Sequence, residues 1–267
     1  MTAFWTMAYG QCLRNFSEFR KTWVTALFWS TLEPLFYLLA FGFGVGRLVG
    51  MVGEMAYAEF IVSGVILGAA SIASYSEAGW MVFRKLQNKD AREYLLTTPL
   101  CHKEFIAGEL AWASFRGLLT AFVLVGFSLI SGLLSSSEAI RLLIVSALMA
   151  WIGASFGIAI GARVKGYNQV LLIQALALFP LIVMSGTFFP LELLPAGVRP
   201  LSFMLPLTHG NFLLRGFGTS VSQLSSWISA LVLIGLAWAS FLWARDGVWY
   251  HFNQNHSRRP HLRRTVP

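Results

Sequence analysis

Charge is scarce in this 267-residue chain. Only 12% of residues are charged and mean hydropathy is +0.64, where an ordinary soluble domain carries about 25%. Too little polar surface remains to cover a water-soluble globule, so the composition points to an integral membrane protein. Aspartate occurs only as Asp90 and Asp246, and no acidic pair sits at a spacing that could hold magnesium for phosphotransfer. The two cysteines, Cys12 and Cys101, are far apart and provide neither a disulfide framework nor a metal-ligand spacing. The five histidines form no H-E-x-x-H or related pattern. A G-x-x-x-x-G-K-[ST] phosphate loop is absent. The Gly42-Phe-Gly-Val-Gly46 stretch imitates a nucleotide loop but ends an apolar run, where glycine serves close packing. No cleavable signal peptide is expected, because the first apolar run starts only near Val24 and is too long for a signal core.

What the chain does have is long apolar runs. Six stand out: Val24–Gly46, Phe60–Trp80, Leu110–Leu134, Leu142–Ala162, Val170–Phe189 and Trp227–Ala244. Each is long enough to cross about 30 Å of hydrocarbon as a helix, and helices satisfy their own backbone groups in lipid. The expected fold is all-α, with six transmembrane helices. The net charge of +8 is distributed between these runs and gives no nucleic-acid groove. With the N-terminus inside, fifteen basic residues fall in cytoplasmic segments, against Arg47, Arg141, Arg199 and Arg215 outside. Both termini are therefore expected in the cytoplasm.

Three segments are not plain loops. In residues 1–23, Trp5, Tyr9, Cys12, Phe16, Phe19 and Trp23 recur every three or four positions, which predicts an amphipathic helix lying in the inner interface before the transmembrane domain, 24–244. The 82–109 segment is the longest cytoplasmic excursion, and Asn88–Pro99 within it reads as a short charged helix stopped by proline. The 186–226 segment carries Pro190, Pro195, Pro200 and Pro206 yet stays apolar. It reads as re-entrant helices at the outer face, with Phe188, Phe189, Pro190, Leu193, Pro195 and Pro206 as a candidate gate. Residues 245–267 form a basic, aromatic tail suited to the membrane surface.

Intramembrane charges single out a site. Glu33 lies about ten residues, roughly 15 Å, into the first run. Arg116 lies within the third run and Glu77 near the inner end of the second. A lone charge at depth costs at least about 2.5 kcal/mol, so Arg116 is expected to pair with Glu33 or Glu77. Gly153, Gly157 and Gly161, and Gly64 with Gly68, form small-residue faces for close helix approach.

With this layout, the sequence resembles the membrane-spanning subunits of type-two ABC exporters. The resemblance rests on Glu33-Pro34-Leu35-Phe36-Tyr37, on Glu93-Tyr-Leu-Leu-Thr-Thr-Pro99-Leu100 with Gly108-Glu109, and on Ser185-Gly-Thr-Phe-Phe-Pro190-Leu-Glu-Leu-Leu-Pro195 with Leu205-Pro-Leu-Thr-His209 and Leu214-Arg215. It is nearest the branch with nodulation-factor (lipo-oligosaccharide) and drug-efflux permeases. The resemblance implies a bacterial inner-membrane homodimer served by two copies of a separate ATPase, with Mg-ATP on that partner and no cofactor or catalytic residue in this chain. It implies that Arg92, Glu93, Tyr94, Leu95, Leu96, Thr97 and Pro99 form the coupling helix. An amphiphilic substrate would pass between protomers along a wall for which Glu33, Tyr37, Phe41, Gln174 and Phe179 are candidates. A self-contained carrier or channel, and a membrane lipid or sugar transferase, are the competing readings.

Overall fold

The computed structural model describes residues 2–53, 55–87, 101–215 and 223–257. The expected coupling residues Arg92–Pro99 and the end of the basic tail lie outside them. In chain order the elements are α1 (Thr2–Tyr37), a π-helical segment (Leu38–Val45), α2 (Gly46–Val49) and a hairpin pairing β1 (Met51–Val52) with β2 (Met55–Ala56). Then come α3 (Tyr57–Gln87), α4 (His102–Ile130), α5 (Ser136–Gly161) and α6 (Tyr167–Ile173), which continues through a second π segment (Gln174–Leu178) into α7 (Phe179–Met184). A 3-10 turn (Leu191–Leu193), α8 (Arg199–Ser202), α9 (Pro206–Arg215) and α10 (Gln223–Ser257) complete the described chain.

This is an all-α membrane protein. Among the described residues, five helical segments are long and apolar enough to cross a bilayer: Trp5–Val49, Tyr57–Gln87, His102–Ile130, Ser136–Gly161 and Ser226–Tyr250. Their outward faces carry exposed Phe122, Ile130, Ile144, Leu231 and Trp238, a surface suited to lipid and not to water. The remaining apolar run, expected to extend to Phe189, is a helix broken into three pieces that ends at Met184, where Ser185 and Gly186 (φ +76°) turn the chain. The ends of α4 and α5 follow local chemistry. Glu104 accepts from the Cys101 backbone N–H at 2.8 Å, Glu138 does the same for Ser135 at 2.8 Å, and Gly132 (φ +71°) closes α4.

The core is the close approach of α3 to α5. A Cβ placed on Gly153, Gly157 or Gly161 would overlap the backbone carbonyl of Ser71, Tyr75 or Gly79 respectively. The four-residue repeats of the two helices are thus in register, backbone against backbone. Gly117 of α4 likewise abuts the Ala70 carbonyl. Around this contact, Ile66, Leu67, Leu124, Leu142, Met149 and Ile152 are fully or almost fully buried.

The N-terminal expectation needs correction. The helix does not turn between Trp23 and Val24; α1 is one continuous helix from Thr2 to Tyr37. Its aromatic face is divided, with Phe16 and Phe19 meeting Trp112 of α4. Trp5, Tyr9 and Trp23 are exposed, while Ala8, Gln11 and Asn15 are buried against the bundle. The reason is polar: Gln11 and Asn15 have a buried partner in Glu109, and satisfying that group outweighs burying one more aromatic ring.

Replacing Gly157 by Leu should disrupt the bundle, costing about 3 kcal/mol or more through overpacking. Gly126→Leu, with nothing within 4 Å of the added atom, should be tolerated. Detergent gel filtration checks this: the first variant loses the monodisperse peak of the wild type, and the second keeps it.

Candidate functional site

The glycine contact fixes α3, α4 and α5 as one body, and α1 and the broken helix α6–α7 pack on its flank. Between them lies a groove of about 460 Å³. Its walls come from α1 (Trp29, Glu33, Tyr37), α3 (Ser76, Glu77, Trp80), α4 (Arg116), and the broken helix with the turn after it (Gln174, Phe179, Phe188). Both helices flanking the groove are irregular for identifiable reasons. Pro180 has no N–H to offer the Leu176 carbonyl, and the chain widens just before it so that Phe179 N–H reaches Gln174. In the other helix, Leu38–Val45 contains Gly42 and Gly44 and closes with Gly46 N–H on the Phe41 carbonyl. Such π turns recur at functional sites.

Polar groups meet in pairs across this groove. Arg116 Nε lies 3.6 Å from Glu77 Oε2, with side-chain exposures of 6% and 19%. Trp112 Nε1 donates to Glu77 Oε1 at 2.8 Å, and the Arg116 guanidinium sits 4.4 Å from the centre of the Phe19 ring. Of the two partners the sequence left open for Arg116, the structure places Glu77 beside it. Glu33 instead accepts from Tyr37 Oη at 3.0 Å, within its own helix. Ser76 Oγ donates to Gln174 Oε1 at 2.7 Å, tying α3 to the broken helix.

Glu33, Tyr37, Gln174 and Phe179, proposed from sequence as one wall, thus share this groove. Phe41 does not line it. Its ring is 5.2 Å from that of Phe188, which also meets Tyr37 at 5.9 Å, so Phe41 supports the aromatic cluster at the end of the groove. The other candidate outer residues are dispersed. Leu193 is exposed, as is Pro195; Pro206 opens α9; and Pro190 lines a second cavity of about 380 Å³. Phe189 is half-buried beside Phe188.

Two constellations escaped the sequence reading. In the sequence Arg215 figures as an outer positive charge and within the Leu214-Arg215 stretch of the resemblance, and neither assigns it partners. It donates to the carbonyls of Phe60 and Gly186 (2.6 and 2.5 Å) and to Ser63 Oγ (3.0 Å), clamping the turn after α7 onto α3. No motif spacing announces this, because the acceptors are backbone groups. At the opposite end, Lys85 Nζ donates to Glu109 Oε1 and Asn15 Oδ1 (2.5 and 2.7 Å), and Gln11 Nε2 donates to the same Glu109 oxygen at 2.7 Å. Lys85, Glu109, Asn15 and Gln11 are all at most 6% exposed. They join α1, α3 and α4 at the point where the chain leaves for residues 88–100. Arg84 and Glu18 form a second ion pair beside them. The usable signal was Glu109 within a run of small and apolar residues, a charge that needs a partner. Among the described residues, no cluster of three or more His, Cys, Asp or Glu could hold a metal ion.

A double-mutant cycle on Arg116→Ala and Glu77→Gln should be non-additive by about 1 kcal/mol or more, because the pair is largely desolvated. The Arg116→Ala/Glu33→Gln cycle should be additive within about 0.5 kcal/mol. Thermal unfolding in detergent measures both.

A profile described as "ABC-2 type transporter" matches residues 11–217, a range that includes most of α1, the glycine contact, the groove and the Arg215 clamp. Nodulation protein J of Sinorhizobium fredii (strain NBRC 101917 / NGR234) is 33% identical over 204 residues, covering 76% of this chain and 77% of the relative. Nodulation protein J of Azorhizobium caulinodans is 25% identical, with 86% and 89% covered. Inner membrane transport permease YadH of Escherichia coli K12 is 23% identical, with 91% and 96% covered. A membrane bundle without a phosphate loop, matched by this profile over most of its length and by relatives over most of theirs, leaves one assignment: the chain belongs to the ABC-2 type transporter family, as a transmembrane permease subunit.

Proposed function

We propose that two copies of this chain, with two copies of a separately encoded ATPase binding Mg-ATP, form an exporter that moves an amphiphile outward across the inner membrane through the groove walled by α1, α3 and α6–α7. The single observation carrying this is that the family match spans the groove, which is lined by aromatic rings together with polar side chains. That mixture suits a molecule with an apolar chain and a polar head. In this reading α6–α7 is a sixth crossing, both termini are cytoplasmic, and residues 88–100 carry the coupling helix.

The buried Lys85–Glu109–Asn15–Gln11 cluster then has a mechanical role. It holds α1 to the helices on either side of the coupling segment, so displacement of that segment by ATPase closure is passed to α1, one wall of the groove. The Arg215 clamp keeps the far end of the groove fixed to α3. Motion delivered at one end and resistance at the other are what alternating access requires. The family is described as a transporter family and one relative, YadH, is named an inner membrane transport permease, which favours this reading over a lipid or sugar transferase. A self-contained carrier would leave the charged 88–100 segment without a role.

Affinity purification from native membranes in mild detergent, followed by mass spectrometry, tests the proposal. The expected outcome is near-stoichiometric recovery of a Walker-motif ATPase, lost in a Glu93→Ala/Leu96→Asp variant that still inserts and dimerises. A homo-oligomer without ATPase, under conditions that preserve other ABC complexes, would overturn it.

A further inference from the structure

The groove has a sign. Three charged residues line it: Glu33 from α1, Glu77 from α3 and Arg116 from α4; its lining from α6–α7 is uncharged, with Tyr167, Gln174 and Phe179. Arg116 and Glu77 lie 3.6 Å apart and answer each other. Glu33 is left over. Within the described residues it has no ion pair within 4 Å; it accepts a hydrogen bond from the Tyr37 hydroxyl, and its side chain stands exposed toward the open groove. A carboxylate at this depth in an apolar helix is costly unless water or a counter-charge meets it, and the lipid alongside supplies none.

The aromatic lining adds a second, independent preference of the same sign. Trp29, Tyr37, Trp80, Phe179 and Phe188 border the same space. Aromatic faces carry negative potential and attract cations, more strongly when water is excluded. Resting on the export reading, we propose that the groove selects an amphiphile with a cationic head, held by Glu33 and the surrounding aromatic rings, and discriminates against the anionic counterpart. Glu33 is the specificity-determining residue. The Glu77–Arg116 pair holds the wall in place and contributes no net charge.

A matched pair of hydrophobic ions, tetraphenylphosphonium and tetraphenylborate, tests this. Each is titrated by equilibrium dialysis against the full chain in nanodiscs of zwitterionic phosphatidylcholine, with empty nanodiscs subtracted. Saturable binding of the phosphonium and none of the borate is expected. Glu33→Gln should weaken phosphonium binding about tenfold, the scale of one partly screened charge at short range. Glu33→Asp should restore it, and Phe122→Leu, on the outward face and away from the groove, should leave it within about twofold. Gel-filtration profiles confirm that each variant is folded. Equal or tighter saturable borate binding, phosphonium binding unaffected by Glu33→Gln, or no saturable phosphonium binding to the wild type would each overturn the proposal. Recovery of the ATPase from native membranes does not depend on this result, so the charge preference and the export reading fail separately.

Discussion

The backbone contact between α3 and α5 is the constraint from which the rest of the molecule follows. In lipid no hydrophobic drive brings two helices together, so association depends on dispersion and on how closely backbones approach. Gly153, Gly157 and Gly161 remove every side chain that would hold α5 away from Ser71, Tyr75 and Gly79. That places α3 at the centre and buries most of it. Of its larger residues, Tyr75, Ile61, Ile66 and Leu67 have almost no exposed surface. With α3, α4 and α5 fixed together, α1 and the broken helix are left on one flank, and the space they leave against α3 is the groove.

The periphery is joined by polar links, each between elements distant in sequence. Lys85 and Glu109 hold α1 at one end, Ser76–Gln174 ties the broken helix at mid-height, and Arg215 clamps the turn after α7. Polar links suit an element that must move and return, because their strength depends on geometry more than the packing of apolar surface does. The rigid part of the molecule is therefore apolar and glycine-rich, and the part proposed to move is polar and π-helical. Placing Glu33 on α1, and not on the fixed body, puts the unmatched charge of the groove on a wall proposed to shift with ATP.

Much of this was legible in the sequence. The apolar runs announced the membrane, the glycines of α5 announced its packing face, and the isolated charges Glu33, Glu77 and Arg116 announced a polar site within the bundle. The errors have a common physical origin. The aromatic periodicity of the first 23 residues suggests a helix that turns before the first span, but α1 runs on without a turn, with Gln11 and Asn15 reaching inward to Glu109. Periodicity finds an amphipathic face; it does not say which face a buried carboxylate will claim. In the sequence Arg215 reads as an outer charge and Lys85 as an inner one, because their partners are backbone carbonyls or residues many positions away. Long-range satisfaction of buried polar groups is set by tertiary structure, and no local pattern encodes it.

The central claim is that ATP on a partner subunit moves the groove wall. In a chain with Cys12→Ser and Cys101→Ser, one new cysteine at Phe179 reports the groove and one at Trp238 reports the lipid-facing surface. The rate of thiol labelling is measured in the complex copurified with its ATPase, nucleotide-free and trapped with ATP and vanadate. The account predicts that trapping changes labelling at position 179 several-fold and leaves position 238 unchanged. Equal rates at position 179 in the two states, with the trap confirmed by loss of ATPase turnover, would contradict it.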